Sequence, residues 1–265
     1  MTLALIAGAG PLPAAVLAAL PQRPFICALG DFPGADLPLR LERLIPTLRA
    51  LQDRGVSEVV FAGAVQRPRL DPALFDGATA QLVPRLVAAM QAGDDATLRE
   101  IIAIFEEYDL TIRAIPDLAP NLLPGPGLLA GRTTERDIGD ATRAAAIVAA
   151  LGAVDVGQGA CVAQGQCLAV EALPGTDAML RNVAQLPVAL RPTPALGRGL
   201  FYKAAKPGQD RRIDLPTIGP QSLDLVAQAG LGGVVFQAGS VICLDLPQMI
   251  ADADRLGLFL WSRPC

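Results

Sequence analysis

Strand and helix signals alternate through the first 118 residues, and this alternation limits the fold more than any other feature of the sequence. Short apolar runs predict strands at residues 3–7, 25–29, 58–62 and 110–115. Helix signals lie between them, up to residue 19 and at residues 39–53, 83–90 and 95–108. Such alternation is typical of a parallel sheet with helices on both faces. Residues 1–118 are therefore predicted to form a Rossmann-like, doubly wound α/β domain.

Residues 119–132 are rich in proline, glycine and leucine, which predicts a linker between two domains. Residues 133–265 then predict a mixed α+β domain. Its expected elements are a helix at 134–151, a β-hairpin turning at Gln164 and Gly165, a helix at 178–186 with Thr176 as N-cap, a strand at 200–204, a helix at 220–230, a second hairpin turning at Ala238 and Gly239, and a helix at 247–256. A chain of 265 residues, 52% of them hydrophobic, is long enough for two domains with their own cores.

Two glycine-containing turns follow predicted strands of the first domain. They contain Gly8, Gly10 and Leu12 after the first strand, and Gly63, Val65 and Arg67 after the third. Ligands of open parallel sheets bind beyond the carboxyl ends of the strands, so these turns favour a nucleotide subsite. As a dinucleotide fingerprint the first turn is poor, because its GxG continues as PLP. Loop geometry alone explains it about as well.

Acidic and basic side chains gather in the second domain of a chain that is only 18% charged. Carboxylates that suit magnesium occur at Glu171, Asp177 and Asp214. Positive charges that suit phosphate occur at Arg181, Lys203, Lys206 and Arg212. Any one of these features is explained more simply by a turn, a helix cap or a solvated loop. Together they predict a metal-assisted phosphate site.

The chain contains no histidine. Ser-His-Asp and Cys-His mechanisms, histidine-ligated zinc and histidine general bases are therefore excluded. Acid-base and metal chemistry must depend on carboxylates instead. A net charge of −4 and a pI near 4.9 argue against nucleic acid as a partner, because duplex binding needs a concentrated basic face.

The five cysteines form no CxxC pair, which favours free thiols in a cytoplasmic protein. In the predicted hairpin, Cys161 and Cys167 point to opposite sides and should not form a disulfide. The N-terminus has no basic region of a signal peptide, and no stretch approaches the ~20 apolar residues of a membrane-spanning helix. If the substrate is a lipid, the protein is expected to meet it in the cytoplasm or transiently at a membrane surface.

Five blocks of the sequence resemble, in order, the signature blocks of the LpxI family, the UDP-2,3-diacylglucosamine pyrophosphatases of lipid A synthesis. The blocks are LALIAGAGPLP, FAGAVQRP, AGDDATLRE, DVGQGACVAQGQCLAVEALPGTDAMLRNV and KAAKPGQDRRIDLPTIG. The resemblance implies hydrolysis of UDP-2,3-diacylglucosamine, a lipid-linked nucleotide sugar, to UMP and 2,3-diacylglucosamine 1-phosphate. It also implies dependence on Mg²⁺ or Mn²⁺, and a homodimer is a further expectation at the family level.

The resemblance implies that Asp214 is essential to catalysis. From the charged side chains described above, Lys203, Lys206 and Arg181 are predicted to contact phosphate, and Asp214, Asp177 and Glu171 to bind the metal. The predicted substrate-binding residues are Gly8, Gly10, Leu12, Gly63, Val65, Arg67, Gln158, Gly175, Thr176, Asp177 and Thr217.

Two other functions remain open at this stage. One is a nicotinamide-dependent Rossmann-type oxidoreductase, motivated by the first glycine turn and by Asp31. The other is a non-catalytic binder of nucleotide sugars or lipids, motivated by Gln237, which stands where an acidic residue is expected in the family.

Overall fold

The computed structural model describes residues 2–65, 71–195 and 197–264, without the side chains of residues 94 and 95. Contacts divide the chain into two compact units. The N-terminal unit comprises Met1–Asn121 and Asp210–Asp214, and the C-terminal unit comprises Leu122–Gln209 and Leu215–Cys265. A short piece of the second half of the chain thus belongs to the N-terminal unit.

The described part of the N-terminal unit contains a five-stranded parallel sheet. Its strands are β1 (Thr2–Ala7), β2 (Phe25–Ala28), β3 (Leu37–Pro38), β4 (Val56–Ala62) and β5 (Thr111–Ile112). They lie in the order β3-β2-β1-β4-β5, which is typical of the doubly wound sheet that the alternation predicted. The helices are α1 (Leu12–Ala19), α2 (Leu44–Gln52), α3 (Gly77–Ala80), α4 (Val83–Ala92), α5 (Asp94–Glu106) and α6 (Ile115–Leu118).

Two elements of this unit have a boundary that differs from the sequence prediction by more than two residues. The helix expected from residue 39 begins at Leu44, after a 3₁₀ turn at Leu41–Arg43. The strand expected at 110–115 is only β5, because Pro116 stands in the first turn of α6, where its missing amide hydrogen costs nothing. The core is continuous across these differences, with Leu48 and Phe105 fully enclosed.

The described part of the C-terminal unit contains a six-stranded mixed sheet and a small parallel pair. The strands are β6 (Gly127–Ala130), β7 (Gly159–Ala163), β8 (Gln166–Val170), β9 (Leu200–Lys203), β10 (Thr217–Ile218), β11 (Gly233–Gln237), β12 (Ile242–Cys243) and β13 (Phe259–Arg263). The large sheet has the order β6-β13-β11-β9-β7-β8, and β10 pairs with β12. The helices are α7 (Glu135–Ala153), α8 (Gly175–Ala184), α9 (Pro220–Gln228) and α10 (Leu246–Leu256).

The second predicted hairpin is wrong. Strand β11 pairs in parallel with both β9 and β13, whereas β12 pairs in parallel with β10. Residues 233–236 are all buried, as expected of a central strand, and such a strand has no alternating pattern that would reveal its neighbours. The chain turns at Gly239 (φ +63°) after β11, but the next strand, β12, does not lie beside β11.

Two strands of the large sheet, β6 and β13, were not predicted. Strand β6 (residues 127–130) lies inside the expected linker and pairs antiparallel with β13 near the end of the chain. Only the pairing identifies these short segments as strands.

The first hairpin is confirmed. Ala163 lies opposite Gln166 and Val162 opposite Cys167, with a register shift next to Cys161. Cys161 is buried and Cys167 is exposed, and both thiols are free. Burial also raises the pKa of the Cys161 thiol.

Helix α7 supports this hairpin from its first turns. It begins with a capping box in which Thr134 and Asp137 exchange hydrogen bonds with each other's backbone amides. One turn later the carboxylate of Asp140 accepts hydrogen bonds from the amides of Gln164 (3.0 Å) and Gly165 (2.7 Å). No helix among the described residues combines the length and the apolar character needed to cross a bilayer.

Candidate functional site

A buried ion pair joins two of the residues predicted for the site. Lys203, the last residue of β9, donates hydrogen bonds from Nζ to both carboxylate oxygens of Glu171, at 2.9 and 2.6 Å. The same ammonium donates to the hydroxyl of Thr176 at 2.8 Å. The side chains of Lys203 and Glu171 are only 4% and 10% exposed. Both charges are therefore shielded from water and depend on each other.

Two glycines make room for this carboxylate. A Cβ on Gly157 would overlap the carbonyl of Glu171, and a Cβ on Gly159 would lie 2.5 Å from Glu171 Oε2. Between them, the Oε1 atom of Gln158 is buried and accepts no hydrogen bond within the described chain. An acceptor in that state suits a donor from a ligand, which agrees with the predicted substrate role of Gln158.

Helix α8 presents four predicted residues on one stretch of chain. It begins at Gly175, which has φ +83°, with Pro174 as its N-cap. The prediction of Thr176 as N-cap is therefore wrong, and its hydroxyl accepts from Lys203 instead. Asp177 is half-buried and accepts a 3.3 Å hydrogen bond from the amide of Gln221, and Arg181 is exposed one turn later.

The segment after β9 carries the second predicted lysine. Lys206 donates to Asp155 at 2.6 Å, and the two side chains are 19% and 39% exposed. This pair meets water, so the lysine can exchange the carboxylate for another anion at small cost. Thr217, in β10, donates its hydroxyl hydrogen to the carbonyl of Leu215 at 3.3 Å.

Asp214 closes the segment that returns to the N-terminal unit. It is half-buried, and its amide donates to the carbonyl of Asp210 at 3.3 Å. Arg212 binds Asp210 at 2.7 Å and Glu106 at 2.9 Å. The hydrogen bond from Arg212 holds the pKa of Asp210 below its ordinary value. Ile213 packs against the core of the unit. The residues directly before Asp214 are thus held by ion pairs and by apolar packing.

The two glycine turns of the N-terminal unit touch each other. Ala9 and Ala64 exchange backbone hydrogen bonds at 2.8 and 2.9 Å. A Cβ on Gly8 would lie 2.7 Å from the Ala64 carbonyl, and a Cβ on Gly63 would lie 2.7 Å from that of Ala9. Gly8 and Gly63 are therefore required by close backbone packing, whatever else they do.

The other residues predicted for the nucleotide subsite lie nearby in sequence. Gly10 has φ +88° and open space where a side chain would project. Leu12 begins α1 and is half-buried, and Val65 is 54% exposed. Arg67 falls outside the described residues, so its assignment stays a prediction.

A preformed metal cage is not found among the described side chains, because no three Cys, Asp or Glu residues there are grouped to hold an ion. Magnesium does not require one, since it is commonly bound by one or two carboxylates together with substrate phosphates. Asp177, half-buried and held only by an amide in the described contacts, fits that role. Glu171 fits it less well because Lys203 already occupies both of its oxygens.

The sequence analysis did not predict three of the groups that contact the proposed site residues. They involve Asp155, Gln221 and the pair of Gly157 and Gly159. The glycine spacing in DVGQG was the available signal, because two glycines flanking one polar residue indicate a close approach of another group. Gln237, which stands where an acidic residue was expected, ends β11 opposite Arg263.

Comparison with known proteins covers both units. The family model of the LpxI N-terminal domain matches residues 2–122, and that of the LpxI C-terminal domain matches residues 125–261. A Caulobacter vibrioides protein named UDP-2,3-diacylglucosamine pyrophosphatase LpxI is 37% identical over 271 aligned residues, covering 97% of this chain and 96% of the relative. By both domain matches and this near full-length similarity, the chain belongs to the LpxI family.

Proposed function

We propose that the protein hydrolyses the pyrophosphate bond of UDP-2,3-diacylglucosamine, giving UMP and 2,3-diacylglucosamine 1-phosphate. The observation that carries the proposal is the 37% identity, over nearly the whole of both chains, to the Caulobacter protein that bears this activity in its name. A site without histidine agrees with it, since phosphoryl chemistry can proceed with carboxylates, cations and backbone amides alone.

The chemistry requires neutralisation of negative charge. The oxygens of a pyrophosphate diester repel an attacking water, and positive groups lower that barrier as the transition state forms. Lys206 and Arg181 supply such charge from exposed or partly exposed positions. Asp214 either holds the metal or accepts the proton of the attacking water, and water attacks the phosphorus that bears the sugar.

The proposal includes a divalent cation, Mg²⁺ or Mn²⁺. Asp214 and Asp177 are each candidate ligands for it, alongside the substrate phosphates. When bound, the ion supplies neutralisation of the phosphate oxygens. Glu171, predicted from the sequence as a third ligand, is left out of this set because Lys203 binds its carboxylate.

The remaining predicted residues would recognise the two ends of the substrate. Gly8, Gly10, Leu12, Gly63, Val65 and Arg67 would approach the nucleotide, and Gln158, Gly175, Thr176 and Thr217 would approach the phosphates and the sugar. The two acyl chains imply a transient contact with a membrane surface at the cytoplasmic face. A homodimer remains an expectation from the family.

The test is UMP release from UDP-2,3-diacylglucosamine by the purified protein with Mg²⁺. Asp214→Ala should lower kcat/KM by about 10²–10³-fold or more without changing the folded state. Asp254→Ala, which alters an exposed aspartate of α10, is the matched control and should retain wild-type turnover. Equal activity of Asp214→Ala and wild type would remove Asp214 from the site. Absence of UMP release by wild type would overturn the proposed function.

A further inference from the structure

The buried ammonium of Lys203 has acceptors within its own chain. Its contacts with Glu171 Oε1, Glu171 Oε2 and Thr176 Oγ1, at 2.9, 2.6 and 2.8 Å, pair the ammonium with a carboxylate and a hydroxyl group of its own chain. We propose that Lys203 is a positioning residue that fixes the turn between β8 and α8, and with it the first turn of α8, instead of binding substrate phosphate.

The positions of the three residues explain how one ammonium can do this. Lys203 ends β9, with Gly159 of β7 opposite it. Glu171 directly follows β8, and Thr176 is the second residue of α8. The ammonium therefore links the ends of β9 and β8 to the start of α8, next to the turn at Gly175. Asp177 comes next along the helix, so its placement depends on the same contact.

The surroundings are shaped for this pair. Gly157 and Gly159 leave space for the backbone and carboxylate of Glu171 that no other residue would leave. The choice of lysine is also selective, because only Lys203 and Lys206 are lysines among the 22 basic residues of the chain. A compact ammonium can meet a carboxylate and a hydroxyl in a small buried space, whereas a planar guanidinium needs more room.

A buried ion pair responds to substitution in a characteristic way. Removing one partner leaves an uncompensated buried charge, whereas replacing both by apolar residues of similar size is often neutral. On this basis, three variants distinguish positioning from phosphate binding: Lys203→Met, Glu171→Met and the double variant. Asp224→Asn is the matched control, since it breaks a largely exposed ion pair of the same unit, that with Arg255. The inference rests on the proposed function only in taking Asp177 as a ligand.

Three readouts are needed. We expect Lys203→Met to lower Tm by about 10 °C and to speed hydrogen exchange in the peptide covering residues 171–178. At a temperature where this variant is folded, kcat/KM for UMP release should fall about tenfold, since a misplaced ligand slows catalysis. The double variant should recover Tm, slow exchange and turnover to within about threefold of wild type, at unchanged Mg²⁺ concentration. Asp224→Asn should match wild type in all three.

Several outcomes would overturn the inference. A stable double variant with slow exchange but turnover still about 100-fold down would show that the ammonium or Glu171 acts on substrate or metal. Lys203→Met with wild-type exchange and turnover would leave Lys203 a purely stabilising role. If Lys203→Met does not fold, recovery of both slow exchange and turnover in the double variant still supports the inference, and persistent fast exchange contradicts it. If wild type releases no UMP, only the proposed function fails, because Tm and exchange decide the positioning role.

Discussion

At the scale of single residues, charged side chains near the predicted site differ mainly in their exposure to water. Lys203 and Glu171 are enclosed, so each would be costly without the other. Lys206 and Asp155 meet solvent, so their pair is weak and can exchange for a ligand. Burial, more than distance, therefore separates residues that hold the fold from residues free to meet an anion.

Asp210 leads to a prediction about acid stability. Its pKa is lowered, first by the hydrogen bond from Arg212, so its ionised form favours the folded state. This stabilisation is complete above the unfolded pKa of about 3.9 and is lost as the pH falls through the lower folded pKa. In urea unfolding at about pH 6 and about pH 3, Asp210→Asn should lose less stability on acidification than wild type. An equal loss would show that Arg212 does not bind Asp210 in solution.

At the scale of elements, helix α7 contains two glycines in contrasting surroundings. Gly139 is exposed, and a Cβ built there meets no atom within 4 Å. Gly152 is buried, and a Cβ there would lie 2.7 Å from Pro207 Cδ and 3.3 Å from the Cα of Lys206. The helix is therefore packed tightly at its carboxyl end, against the segment that carries Lys206.

These two glycines should respond oppositely to alanine. Gly139→Ala should raise the free energy of unfolding by about 1 kcal/mol, since alanine restricts the unfolded chain and favours helix. Gly152→Ala should lower it by about 1–3 kcal/mol, because the added methyl group overlaps Pro207. Urea unfolding of the two variants measures both effects. If Gly152→Ala were as stable as Gly139→Ala, the segment around Lys206 could not be packed against α7 as described.

At the scale of the whole molecule, the two compact units do not divide the sequence at one point. Residues Asp210–Asp214 come from the second half of the chain but belong to the N-terminal unit. Ile213 packs against the apolar core of that unit, and Arg212 binds Glu106 at the end of α5. The N-terminal unit is therefore completed only when about four-fifths of the chain is present.

Ile213→Ala tests this arrangement. It should destabilise the N-terminal unit by about 1–3 kcal/mol through loss of apolar contacts. Hydrogen exchange should then accelerate in peptides from β1 and α5, and peptides from β9 and β11 should remain protected. Val188→Ala, at a position 81% exposed in the C-terminal unit, should leave both sets unchanged. Faster exchange confined to the C-terminal unit would contradict the assignment of Asp210–Asp214.

Local sequence patterns predicted much of the fold. The alternation of strands and helices predicted the parallel N-terminal sheet, and the turn at Gln164 and Gly165 predicted the first hairpin with its register. Both depend on neighbours in sequence, where periodicity and turn chemistry act directly. The partners of β11 and β12 could not be predicted in this way, because a fully buried strand looks the same whichever strands flank it.

The sequence by itself determined the class of chemistry: without histidine, catalysis must use carboxylates and cations, and the ordered blocks indicated the family. Only the tertiary structure decided which charged side chains form buried ion pairs that stabilise the fold. It joined Lys203 to Glu171 and Thr176, and it placed the segment of Asp214 in the N-terminal unit. The physical reason is that burial and pairing depend on residues distant in sequence. Lys203 resembles a phosphate ligand when only its sequence neighbours are considered, whereas the structure shows it buried and bound to Glu171 and Thr176.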